Sequence, residues 1–113
     1  MSFNYDGRCF RPVANSPTGQ VSSETLFQYT QTGNLLTATY SGGSIRHGQM
    51  VGLVKSGGEL EFCYHHVTND GELRSGFCLS SPTVLHDGRI RLEESWYWTM
   101  PERTEGQSVV EEV

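Results

Sequence analysis

Runs of alternating apolar and polar residues fill this chain, and six short turn signals rich in Gly, Asn, Asp or Ser interrupt them. These are Ser16-Pro17-Thr18-Gly19, Thr32-Gly33-Asn34, Ser41-Gly42-Gly43, Ser56-Gly57-Gly58, Asn69-Asp70-Gly71 and His86-Asp87-Gly88. A period of two marks strands with one buried face, and turns this short oblige each strand to pair with its sequence neighbours in an antiparallel meander. The pattern predicts strands over residues 7–13, 24–31, 35–41, 45–55, 59–68, 72–80, 89–99 and 107–112, with no helix of useful length. Residues 11–23 carry Pro12, Asn15, Pro17 and Gly19 and are expected to form a loop long enough to act as a lid. Residues 100–106, polar and containing Pro101, are the expected last connection.

Residues opposite each other across a tight turn share a face of the sheet, so register can be carried from turn to turn. Turns centred on Thr32-Gly33, Gly42-Gly43, Gly57-Gly58, Asp70-Gly71 and Asp87-Gly88 place Phe27, Tyr29, Leu36, Tyr40, Ile45, Val51, Leu53, Leu60, Phe62, Tyr64, Phe77, Leu79, Ile90, Leu92, Trp96 and Trp98 on one face. The opposite face receives Gln28, Thr37, Thr39, Arg46, Glu61, Arg74, Arg91, Glu93 and Ser95. A bulge near residues 80–82 is the one irregularity the pattern suggests. An eight-stranded sheet with one apolar face has no second layer to cover it in 113 residues, and the economical solution is closure on itself. The expected fold is therefore all-β: a single antiparallel up-and-down meander closing into a roughly eight-stranded β-barrel, with residues 1–113 forming one domain.

Composition adds exclusions. Eight Lys and Arg against 13 Asp and Glu give a formal charge of -5, with the basic residues scattered from Arg8 to Arg103, so nucleic acid is not an expected partner. Nothing near Met1 has the pattern of a signal peptide, and the longest apolar stretch, residues 50–54, includes Gly52; a soluble, cytoplasmic protein without membrane contact is expected. Cys9, Cys63 and Cys78 form an odd set with no Cys-x-x-Cys spacing, which suits reduced thiols.

The inner face is not wholly apolar. The same register gathers Tyr40, His47, Gln49, His66 and Ser75 towards one end, over a floor of Val51, Leu53, Phe62, Leu79, Trp96 and Trp98. A polar mouth above an aromatic floor is the composition of a small-molecule pocket, although eight-stranded barrels are also often simply filled by side chains. Glu94 is the sharpest position, because the alternation Ile90, Leu92, Glu94, Trp96, Trp98 puts a carboxylate on the buried side. Such a group needs a partner or a raised pKa, as a ligand or proton-transfer group or through a structural hydrogen bond. The expected ligand-binding residues are Tyr40, Gln49, Tyr64, His66, Glu94, Trp96 and Trp98. His65 and His66 point to opposite faces and cannot readily share an ion. Cys63, with Cys78 opposite and His65 beside it, comes nearest to a metal set but lacks a fourth ligand, and a cross-strand thiol pair is the plainer expectation. No metal, cofactor or catalytic nucleophile is expected.

The stretches Tyr5-Asp6-Gly7-Arg8, Val21-Ser22-Ser23-Glu24-Thr25, Ala38-Thr39-Tyr40-Ser41-Gly42-Gly43, residues 48–54, Tyr64-His65, Glu94-Ser95-Trp96-Tyr97-Trp98 and Glu105-Gly106 resemble a family of small bacterial proteins often labelled N-acetylglutamate synthase. That resemblance implies no catalytic residue. Acetyltransferases of that class have a mixed α/β fold with a Gly-rich turn before a helix, which this sequence lacks, so acetyl transfer is not expected. Residues 34–41, Asn-Leu-Leu-Thr-Ala-Thr-Tyr-Ser, are also similar to a hairpin of avidin-like and calycin barrels in which a tyrosine enters the pocket; the resemblance implies that role for Tyr40.

Three functions compete on the sequence. The leading expectation is a noncatalytic small-molecule-binding barrel. The alternatives are an interaction or assembly protein acting through the outer wall, with a copy of itself as one partner, and a small barrel enzyme using Glu94 or His66 as acid or base. A cavity above roughly 300 Å³ reaching Glu94 would favour binding or catalysis, and a filled interior assembly.

Overall fold

The computed structural model describes residues 3–17 and 19–113; Thr18, in the first predicted turn, lies outside the described residues, as do Met1 and Ser2. Eight strands follow one another: β1 (Cys9–Asn15), β2 (Leu26–Thr32), β3 (Leu35–Gly42), β4 (Ile45–Val54), β5 (Leu60–Thr68), β6 (Leu73–Val84), β7 (Ile90–Met100) and β8 (Glu105–Glu112). Each pairs antiparallel with its neighbour, and β1 pairs with β8 to close the barrel. The expected all-β meander closing on itself is the fold of this chain. Among the described residues no helix is long and apolar enough to cross a membrane.

The predicted faces hold for β2, β3, β5 and β7 and fail for most of β4 and for β6, for a reason that lies in the turns. Thr68 N–H donates to Glu72 O and Gly71 N–H to Thr68 O, so Asn69-Asp70-Gly71 is a three-residue loop rather than a two-residue turn. The same pair of bonds closes Ser56-Gly57-Gly58 and His86-Asp87-Gly88. In each, the last glycine has positive φ (91° for Gly58, 87° for Gly71, 88° for Gly88), the left-handed position that ends this loop type. A three-residue loop moves the register by one residue and so exchanges faces. Two such loops in succession restore the original phase, which is why β7 faces as predicted although β6 does not.

In β4 the cause is a bulge. Arg46 is an extra residue against both neighbouring strands, and beyond it Gly48, Met50 and Gly52 take the inward phase. Val51 and Leu53, expected inside, are 54% and 42% exposed on the outer wall. In β6, Phe77 and Leu79 point outward, while Cys78 and Ser80 are buried. Cys78 therefore pairs with Phe62, not Cys63; the expected thiol pair, and with it the Cys63, Cys78 and His65 cluster, is dismantled because its members lie on both faces. The irregularity expected near residues 80–82 lies instead at Ser75. Pro82 sits beyond Ser80, the last β6 residue paired with β5, where its missing N–H leaves no ladder bond unmade.

The core fills the barrel from the end where the β2–β3, β4–β5 and β6–β7 turns lie. Tyr5, ahead of β1, plugs that end: it is fully buried, its hydroxyl donates to Gly58 O at 2.6 Å, and its ring packs on Phe10 and Tyr29. Farther along, Gly48 and Gly76 face inward where a Cβ would collide with the rings of Tyr40 and Tyr64. Large rings thus occupy the space that small residues leave on the neighbouring strand.

Candidate functional site

Two polar groups interrupt the aromatic interior, and each is built by a row of paired strands. Near the mouth, His66 of β5 pairs with Gly48 of β4 and is 1% exposed. Tyr40 Oη lies 2.9 Å from His66 Nδ1, and His66 Nε2 lies 2.7 Å from Gln20 Oε1. Gln20 Nε2 in turn donates to Glu72 at 3.2 Å, which fixes the amide orientation. His66 is then the neutral Nε2–H tautomer, donating to Gln20 and accepting from Tyr40. Burial, reinforced by the Arg74 charge, pushes its pKa down to about 4, in keeping with that neutral form. Arg74 pairs with Glu72 at 3.0 Å and lies 4.9 Å over the Trp98 ring.

Gln20 belongs to the segment between β1 and β2, within the residues expected to form a lid. Ser44 Oγ donates to Gln20 O at 3.0 Å, and Asn15 Nδ2 to Val21 O at 2.9 Å. The segment is thereby drawn across the mouth. Gly19 lies against the Asn15 amide, where a Cβ would have no room.

Deeper inside, one rung of the barrel is polar across four strands: Asn15 pairs with Ser108, Ser108 with Glu94, and Glu94 with Ser80. Asn15 joins it through a second bulge. Val13 is an extra residue against β8, so that Pro12 is buried, Val13 exposed, and Asn15 turned to the interior; bulges commonly re-aim a side chain in this way. Ser80 Oγ donates to Glu94 Oε2 and Ser108 Oγ to Glu94 Oε1, both at 2.9 Å. Trp96 Nε1–H donates to Ser108 Oγ at 3.1 Å. Burial raises the Glu94 pKa, while the two serine hydrogen bonds pull it back down.

Between the His66–Gln20 network and this rung lies a cavity of about 50 Å³, lined by Phe27, Met50, Phe62, Tyr64, Trp96 and Trp98, with Tyr40, His66, Gln20, Asn15, Ser108 and Glu94 as its polar groups. It reaches Glu94 but lies well below the roughly 300 Å³ that would by itself favour binding or catalysis over a filled interior. It is room for a few water molecules.

Six of the seven expected ligand residues, Tyr40, Tyr64, His66, Glu94, Trp96 and Trp98, line this one cavity. Gln49 does not. The Arg46 bulge turns it to the outer wall, where its amide lies 3.3 Å from His47 Nε2, and His47, expected with it at the mouth, is exposed as well. Asn15, Gln20, Ser80 and Ser108 are the polar participants that the sequence pattern missed. Only Asn15 and Gln20 had a signal, the length and composition of the expected loop that holds both.

Residues 3–113 match the family model described as avidin-like protein. No curated protein sequence matches the chain.

Proposed function

The chain belongs to the avidin-like family, and from that premise we propose that it is a noncatalytic barrel binding a small molecule between the aromatic walls and the Glu94 rung. The observation that carries this is the cavity itself: aromatic rings wall it, Asn15, His66, Ser108 and Glu94 give it polar groups, and Gln20 hydrogen-bonds to His66 at its mouth. In this mechanism Gln20 leaves His66, the segment opens, and the ligand rests on Trp96 and Trp98 while Tyr40, His66 and Glu94 orient it. Gln20→Ala, which removes the latch, should raise the rate and extent of ligand entry. The test is tryptophan fluorescence and melting temperature against a metabolite library, on the parent and on Gln20→Ala. A ligand that shifts both signals supports binding. A library silent on both proteins removes it.

Assembly through the outer wall has one observation in its favour. Leu35 pairs with Leu53 and Val51 with Cys63, which pairs with Phe77, so apolar residues run across neighbouring strands outside the barrel, with Leu35, Val51, Leu53 and Leu79 between 42% and 54% exposed. Sedimentation of the parent and of Val51→Lys would show whether this stripe holds copies together.

A further inference from the structure

The hydrogen bonds of the Glu94 rung run in one direction. An indole N–H only donates, so Trp96 fixes Ser108 Oγ as its acceptor and sends the single Ser108 hydrogen to Glu94 Oε1. Ser80 supplies the other oxygen. Both carboxylate oxygens therefore accept, the arrangement that suits the ionised form, and each keeps further acceptor capacity. Two strands away on the same rung and lining the same cavity, Asn15 carries an Oδ1 that is buried with no hydrogen-bond partner. Its orientation is not free, because Asn15 Nδ2 is engaged with Val21 O. The polar side of the cavity thus holds acceptors in excess of donors.

Among the described residues no positive charge answers Glu94: the ion pairs of Arg8, Lys55, Arg74, Arg89 and Arg91 all go to other carboxylates. Arg11 and Arg46 are exposed, and Arg103 lies over the Tyr97 ring. The titratable groups that feel Glu94 are Tyr29 of β2, Tyr64 of β5 and Cys78 of β6, all pushed up by burial and so uncharged near neutrality. A buried carboxylate with its hydrogen bonds made and its counter-charge absent is an unfinished ion pair. Phe27, Phe62, Tyr64, Trp96 and Trp98 form most of the remaining wall, beside Met50 and Cys78, and the faces of such rings attract cations.

We propose that the ligand is a small organic cation bearing N–H groups, an alkylammonium or an amidinium, whose charge is met by Glu94 and whose N–H groups are accepted by Glu94 and Asn15 Oδ1. This rests on the small-molecule function given above and names its chemical class. A cation of a few heavy atoms matches a cavity of about 50 Å³; a larger one requires the Gln20 segment to swing away. The net charge of -5 draws cations towards the protein.

Calorimetric titration with paired probes at fixed ionic strength tests the proposal: acetamidinium chloride against acetamide, and propylammonium chloride against 1-propanol, on the full chain and on Glu94→Gln. Each cation should bind at least about tenfold more tightly than its neutral partner, and the advantage should vanish in Glu94→Gln. Equal affinity within each pair would overturn the cation and leave small-molecule binding standing. No binding by any probe, with a silent library, would remove both. An advantage that survives in Glu94→Gln would place the charge recognition elsewhere and overturn the proposal. Ser80→Ala serves as a second variant should Glu94→Gln fail to fold. Losing one donor to the carboxylate, it should move the onset of cation preference to higher pH, and an unmoved onset counts against Glu94.

Discussion

His66 of β5 is fully buried and Glu94 of β7 partly so, and burial drives both towards neutrality, yet their hydrogen bonds are completed in different ways. The His66 network runs from Tyr40 through the imidazole and Gln20 to Glu72 at the mouth, with every donor meeting an acceptor. The Glu94 network runs inward from Trp96 and ends on a carboxylate facing a cavity. The first network is satisfied within the protein, whereas the second leaves acceptor capacity unused. The difference comes from which elements supply the partners: the connection between β1 and β2 for His66, and neighbours in the β-ladder for Glu94.

The two groups should oppose each other in the pH dependence of stability. His66 has a folded pKa of about 4 against an ordinary 6.5, so its contribution is fully present above about 6.5 and is lost as pH falls towards 4, amounting to about 3 kcal/mol at most. Denaturant midpoints at pH 7 and pH 4 should differ accordingly in the parent, and the difference should shrink in His66→Gln. Equal shrinkage in a His65→Gln control would show that the effect is not specific to the buried ring.

Ser108→Ala should be the next largest change, a loss of about 1–3 kcal/mol, because it strands the Trp96 N–H and removes one of the two donors to Glu94. Urea denaturation measures it, and Ser80→Ala, which strands no indole, should cost less. If the order is reversed, the directional chain through Ser108 does not hold.

The smallest expected effect carries the opposite pH sign. The Glu94 pKa is raised, so its contribution is fully present below the ordinary value and is lost as pH rises through the folded one. Glu94→Gln should therefore melt close to the parent in acid and at or above it at pH 8. A large destabilisation at both pH values would make Glu94 a structural anchor rather than an open acceptor.

Much of this was legible in the residues. The alternation around Glu94 and the aromatic phase of β5 and β7 are local patterns, and they placed Tyr64, His66, Trp96 and Trp98 correctly. The long connection between the first two strands was legible in part, because Pro17 and Gly19 break the pattern, but residues 11–15 of the expected loop are strand β1. The inward phase of β4 and β6 was not legible. In β4 the Arg46 bulge, which has no local signature, turns the strand over and carries Gln49 outward and Met50 inward. In β6 a two-residue turn and a three-residue loop share the same Asp-Gly signature and differ by one residue in register, which puts Cys78 and Ser80 inside.

The sequence by itself determined eight strands, their order, the closing of the sheet and the burial of Glu94 among indoles, because hydrophobic period and turn chemistry act over a few residues. Tertiary structure alone decided that Asn15 and Ser108 meet Glu94 on one rung and that Gln20 reaches His66. Those meetings depend on the register in which the first and last strands join and on two bulges, at Val13 and Arg46, that turn their strands over. Each of these is fixed by the fit of the whole ring, which no local segment encodes.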